Sequence, residues 1–195
     1  MAAEPSAPSS RFKPMTLALA STGVLAAWTA LLPEADRPWN FAVLGAVGLF
    51  ASARLPFRQA ITVMLLAILV KDVSVYLTLG WPPAPLSWLG FAAYVLVGRA
   101  LLAHTESPLR IGSGAVIASF LFFLVSNFGS WLSQALPYGY SFAGLVECYR
   151  AGILFYRGTL ISDVLCTGAL FALHAVLSRA YFPAERVVLQ AEAAR

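Results

Sequence analysis

The stretch Ala60–Leu79, AITVMLLAILVKDVSVYLTL, decides the fold. About twenty residues of helix, at 1.5 Å each, cross the roughly 30 Å of bilayer hydrocarbon. The run holds only two charges, Lys71 and Asp72, side by side in its second half. A surface helix of a soluble domain would instead show an apolar stripe and a charged face.

The rest of the chain repeats this pattern. Apolar runs cover Met15–Leu32, Trp39–Ala53, Leu86–Ala103, Ile111–Leu136 and Thr159–Tyr181. Pro33, Arg54-Leu55-Pro56-Phe57-Arg58, Gly80-Trp81-Pro82-Pro83, His104–Pro108, Pro137 and Pro183 punctuate them. The 195 residues are 59% apolar and 11% charged, against about 25% charged in an ordinary soluble domain. Mean hydropathy is +0.76. A soluble enzyme, a disordered protein and a nucleic-acid-binding domain are all excluded. The net charge of +4 comes from basic residues scattered singly between apolar runs, whereas a phosphate-binding surface gathers them on one face.

We therefore expect an all-α polytopic membrane protein, a compact bundle of six transmembrane helices over residues 15–182. Residues 1–14, rich in Ala, Pro and Ser, read as a disordered tail, and 183–195 as a second tail. The run at Trp39–Ala53 is short for a span and needs its flanks to reach the interface. Ala18-Leu19-Ala20 lies too early in the first run for a signal-peptide cleavage site, so that run reads as an uncleaved helix. Residues 138–157, YGYSFAGLVECYRAGILFYR, carry Glu147, Arg150 and three glycines. They read as an interfacial or re-entrant loop, with a seventh helix as the alternative. Cys148 and Cys166 form no CxxC or metal-ligand pattern and read as ordinary thiols.

Basic residues set orientation. With the N-terminus inside, Arg11, Lys13, Arg54, Arg58, Arg99, Arg110, Arg179, Arg186 and Arg195 are cytoplasmic, and Arg37, Arg150 and Arg157 are outside. Nine against three fits six helices with both termini cytoplasmic. A seventh helix would put the basic C-terminus outside.

Ionisable residues within spans are functional candidates. In this topology Lys71, Asp72, Asn127, Trp131 and Asp163 lie in the outer half of the bundle, below the outer Glu147, Tyr149 and Arg150. The inner half reads as almost purely apolar. These eight residues are the expected substrate-binding set, with Trp131 and Tyr149 stacking. They equally suit interhelical pairing, Lys71 or Asp72 with Asp163, Arg150 or Arg157. Trp81, Trp88, Tyr138 and Tyr140 fit an interfacial aromatic belt. Ala26 and Ala30, and Ala42 and Ala46 with Gly45, Gly48 and Ser52, form small-residue faces. Such faces dock another helix of the bundle or a separate subunit. Gly112-Ser113-Gly114 has no supporting acid, and His104 and His174 cannot pair around a haem. No metal cluster and no phosphate-binding glycine motif is present, so neither an enzymatic activity nor a cofactor is expected.

Several segments resemble a known family. They are Asn40–Ala51 (NFAVLGAVGLFA), Leu69–Asp72, Ser119–Leu132 (SFLFFLVSNFGSWL), Gly144–Tyr149 (GLVECY) and Phe155–Asp163 (FYRGTLISD). Together, across residues 39–175, they resemble a bacterial family of membrane transport proteins similar to the substrate-binding S components of energy-coupling factor (ECF) transporters. The resemblance implies six helices and capture of a small solute from outside. It also implies dependence on a separate membrane coupling subunit and ATPases. Lys71, where the family pattern has a small residue, and Gly158-Thr159, where it has Asn-Thr, depart from the pattern within the expected site. The ligand therefore does not carry over. The alternative is a non-transporting membrane scaffold or assembly protein, in which the polar cluster only joins helices.

Overall fold

The computed structural model describes residues 13–26, 42–80, 83, 85–134, 137–186 and 190. The fold is all-α. Its helices are α1 (Pro14–Ala26), α2 (Leu44–Arg54), α3 (Phe57–Leu79), α4 (Pro85–Val97), α5 (Pro108–Leu132) and α6 (Phe142–Ala180). A π-helical segment, Gly98–Leu102, continues α4 and makes a seventh helical element. Helices α3, α5 and α6 are long and apolar enough to cross a membrane, while α2 and Leu86–Leu102 are shorter apolar helices. By helix length and hydropathy this is a multi-pass membrane protein.

Local chemistry explains the helix ends. Ser107 accepts from Arg110 N and Pro108 opens α5, where its missing N–H costs nothing. Ser141 accepts from Gly144 N at 3.0 Å to start α6. Gly80, at φ 69°, closes α3 in the left-handed conformation that glycine adopts without strain.

Three expectations are corrected here. First, the described α2 is an 11-residue apolar helix, shorter than a span. All eleven of its residues are buried, as suits a short apolar helix enclosed by its neighbours. Its small-residue face is internal: Ala46 is fully buried, and added Cβ atoms at Gly45 and Gly48 would press on Tyr94. That face therefore docks helices of this bundle. Ala42 packs against the same core. Ala30 lies outside the described residues, as does the side chain of Ala26.

Second, residues 142–157 are not a loop. They are the first part of the 39-residue α6, continuous with the run expected to begin at Thr159. The glycines that suggested irregular backbone allow close packing instead. A Cβ at Gly152 would overlap the Asn127 carboxamide, and one at Gly144 would overlap the carbonyls of Tyr138 and Gly139. Glu147 and Arg150 pair at 3.6 Å on the exposed face. Of residues 138–157, only 138–141 are non-helical.

Third, the C-terminal segment is not wholly a free tail. Glu185 is buried and accepts from Met15 N at 2.6 Å and Thr16 N at 3.3 Å, covering the first turn of α1. Residues 1–12 of the expected N-terminal tail lie outside the described residues.

The π segment marks a close approach. A Cβ on Gly98 would fall 2.6 Å from Leu49 O and 3.0 Å from Leu49 Cα, both backbone atoms of α2. Gly98→Ala is therefore expected to cost about 1–3 kcal/mol, as overpacking does. Gly112→Ala, whose Cβ meets nothing within 4 Å, is expected to leave stability unchanged or raise it. Thermal unfolding of the two variants in detergent checks both.

Candidate functional site

The eight expected site residues do not form one cluster. The structure distributes them over four places, and of the eight Asp72 and Asp163 are buried.

Asp163 of α6 is 1% exposed. Tyr94 of α4, also 1% exposed, donates its hydroxyl to Asp163 Oδ2 at 2.5 Å. Gly45 of α2 leaves room for both, because any Cβ there would overlap Asp163 Oδ1 and the Tyr94 ring. Ser119 of α5 neighbours Asp163, Tyr94 and Tyr156, though its buried hydroxyl completes no hydrogen bond among the described residues. Four helices thus meet around one carboxyl group.

Lys71 and Asp72 lie elsewhere, on α3. Their side chains form an ion pair with each other. Asp72 also accepts from Trp88 Nε1 at 2.8 Å, which ties α3 to α4. Neither pairs with Asp163. Phe91 links the two places: Lys71 Nζ is 5.9 Å from its ring centroid, and the Tyr94 ring is 6.2 Å from it.

Asn127 and Tyr149 share the α5–α6 contact. Asn127 Nδ2 donates to Phe123 O at 2.8 Å, and Tyr149 donates to Leu124 O at 2.7 Å. A cavity of about 220 Å³ opens there, lined by Phe122, Phe123, Ser126, Asn127, Gly152, Phe155, Tyr156 and Thr159. It is smaller than the roughly 300–1,000 Å³ typical of drug-sized ligands.

Trp131, Glu147 and Arg150 stand at the end of the α5–α6 pair. Trp131 donates to Gly139 O at 3.0 Å and faces Tyr140 edge-on at 6.0 Å. This closes the turn between the helices. The Glu147–Arg150 pair is exposed. Trp81 lies outside the described residues. Cys148 and Cys166 are free thiols.

The sequence reading missed a second polar centre, at the opposite end of the α5–α6 pair. There Thr16, Arg54, His174 and Glu185 are all buried. Thr16 donates its hydroxyl to Glu185 Oε2 at 2.9 Å, so the His174 Nε2 contact at 3.2 Å is a donation from the imidazole to Thr16 Oγ1. Arg54 donates from Nη1 to Leu102 O at 3.2 Å and from Nη2 to Thr105 O at 2.5 Å. These carbonyls lie where the π segment ends, and Leu102 O otherwise accepts only a long 3.4 Å bond from Thr105 N among the described residues. The half of the bundle expected to be almost purely apolar therefore holds this network. One signal was present: Arg54 directly follows one apolar run and His174 lies within another.

Tyr94 was also missed. A tyrosine inside an apolar run carries a hydroxyl that needs a partner, and that was the available clue. Tyr94→Phe is expected to lower stability by about 0.6–2 kcal/mol, the size of an interhelical polar contact in a membrane. Asp163→Asn should then cost less in the Tyr94→Phe background than in the wild type. A double-mutant cycle in detergent tests this, and strictly additive losses would refute the pairing.

No curated protein and no solved structure matches the chain significantly. One family model does, over residues 10–187: Family of unknown function (DUF6580). That match takes in all six helices, and the chain belongs to this family of unknown function.

Proposed function

We propose that the protein is a substrate-capture subunit of a membrane transport system, similar in role to an S component, and that it performs no chemistry itself. The α5–α6 cavity is the binding site. Asn127 supplies the directional contact, Ser126, Tyr156 and Thr159 add hydroxyls, and Phe122, Phe123 and Phe155 enclose the ligand. In this reading both termini are cytoplasmic in a bacterial inner membrane, and the cavity lies toward the outside. A coupling subunit and ATPases supply the energy.

One observation carries the reading. Four hydrogen-bonding side chains and three phenylalanines line one cavity between two long apolar helices, the mix of a few polar groups with aromatic walls that small-molecule sites use. The cavity size favours a small polar solute. Of the expected binding residues, Asn127 belongs to this site and Tyr149 supports it from behind. Asp72 and Asp163 join helices through Trp88 and Tyr94, Lys71 pairs with Asp72 on its own helix, and Trp131, Glu147 and Arg150 do not line the cavity.

The second reading is a scaffold protein without a ligand. The Tyr94–Asp163 and Trp88–Asp72 contacts favour it, because both join helices and neither lines this cavity.

Native mass spectrometry of the purified protein separates the two. A solute that co-purifies is expected to bind about tenfold or more weakly to Asn127→Ala, as loss of one good hydrogen bond predicts. Unchanged affinity in that variant would remove the cavity from consideration. Recovery of no solute from protein prepared in native membranes would favour the scaffold.

A further inference from the structure

A second cavity lies at the other end of the α5–α6 pair. It measures about 350 Å³, and Arg54, Ile111, Gly112, Gly168, Phe171 and His174 are among its walls. Arg54 is its head. The residue is 5% exposed, and its guanidinium lies 4.7 Å from the Phe171 ring centroid. Nη1 and Nη2 are used on Leu102 O and Thr105 O, while Nε is buried with no hydrogen-bond partner among the described residues. No carboxylate among those residues forms an ion pair with Arg54. Glu106, which also borders the cavity, is paired with Arg179 at 3.2 Å.

A buried guanidinium hydrogen-bonded only to neutral carbonyls, with the nearby Glu106 carboxylate engaged by Arg179, is expensive, and an oxyanion is the partner its geometry suits. Apart from Arg54, Glu106 and His174, the walls of the cavity are apolar. Gly112 and Gly168 leave a channel along it, since a Cβ on either meets nothing within 4 Å. The channel follows the two long apolar helices, whose neighbouring side chains Leu165, Leu173 and Val176 are exposed. In a bilayer that surface faces lipid. The matching occupant has an anionic head and an apolar chain, and reaches the groove sideways from the membrane.

We propose that this groove is a binding site for an acidic phospholipid, with the phosphate on Arg54 and an acyl chain along Gly112 and Gly168. It is separate from the cavity at Asn127 and does not depend on the transport reading.

The test uses the full chain in nanodiscs made from equal parts of phosphatidylglycerol and phosphatidylcholine, followed by native mass spectrometry of retained lipid. The wild type is expected to retain phosphatidylglycerol about fivefold over phosphatidylcholine, the preference one basic contact confers. Arg54→Gln should abolish the preference, but it also frees the Leu102 and Thr105 carbonyls and can prevent folding. Gly112→Leu and Gly168→Leu fill the channel without touching Arg54. They are expected to lose the preference while unfolding at or above the wild-type temperature. Equal retention of both lipids by the wild type would overturn the proposal. So would an undiminished preference in both folded glycine variants. Octanoate binding to a wild type without lipid preference would also overturn it, and would assign the groove to soluble carboxylates.

Discussion

A carboxyl group in the middle of an apolar bundle must find its partner inside the protein, because lipid offers none. Asp163 finds Tyr94, and the rest of the packing accommodates that pair. Position 45 must be glycine, since a methyl group would overlap both partners. Helix α2 is thereby drawn against α4 and α6, and all of its residues are buried. The rings of Phe91 and Phe122 pack around Tyr94 at 6.2 Å and 5.6 Å. One hydrogen bond thus fixes which helix is central and how closely its neighbours approach.

The helical runs and the membrane solvent were legible in the sequence, because both follow from long apolar stretches ended by proline and charge. The position of α2 was not. Trp39–Ala53 looks like a short span, and only tertiary packing distinguishes that from an enclosed core helix. Residues 142–157 misled for a related reason. Glycine weakens a helix in isolation by about 1 kcal/mol, yet Gly144 and Gly152 are required by close contacts that no local pattern displays.

The candidate site was legible in part. Asp163 was identified as an intramembrane acid, but its partner was sought among charges, and a tyrosine hydroxyl supplied the contact. Asn127 was identified and does line a cavity. Lys71 or Asp72 was a candidate partner for Asp163, Arg150 or Arg157, but the two pair with each other on α3, and Asp72 reaches α4 through Trp88. The network at Arg54 was hidden because its members, Thr16, Arg54, His174 and Glu185, are far apart in sequence and individually ordinary. Their proximity depends on the C-terminal segment folding back over α1.

The length of α6 has a geometric consequence. Thirty-nine residues make a rod of about 58 Å at 1.5 Å per residue. Transmembrane helices tilt by up to about 40°, and at that angle the rod still rises about 44 Å, well beyond the roughly 30 Å of hydrocarbon. It therefore cannot be submerged along its whole length. One or both ends must project as a mast into the headgroups or the aqueous phase. The two cavities on its flank are consequently held at different depths by the same rigid strut, so any rocking of that strut displaces both together.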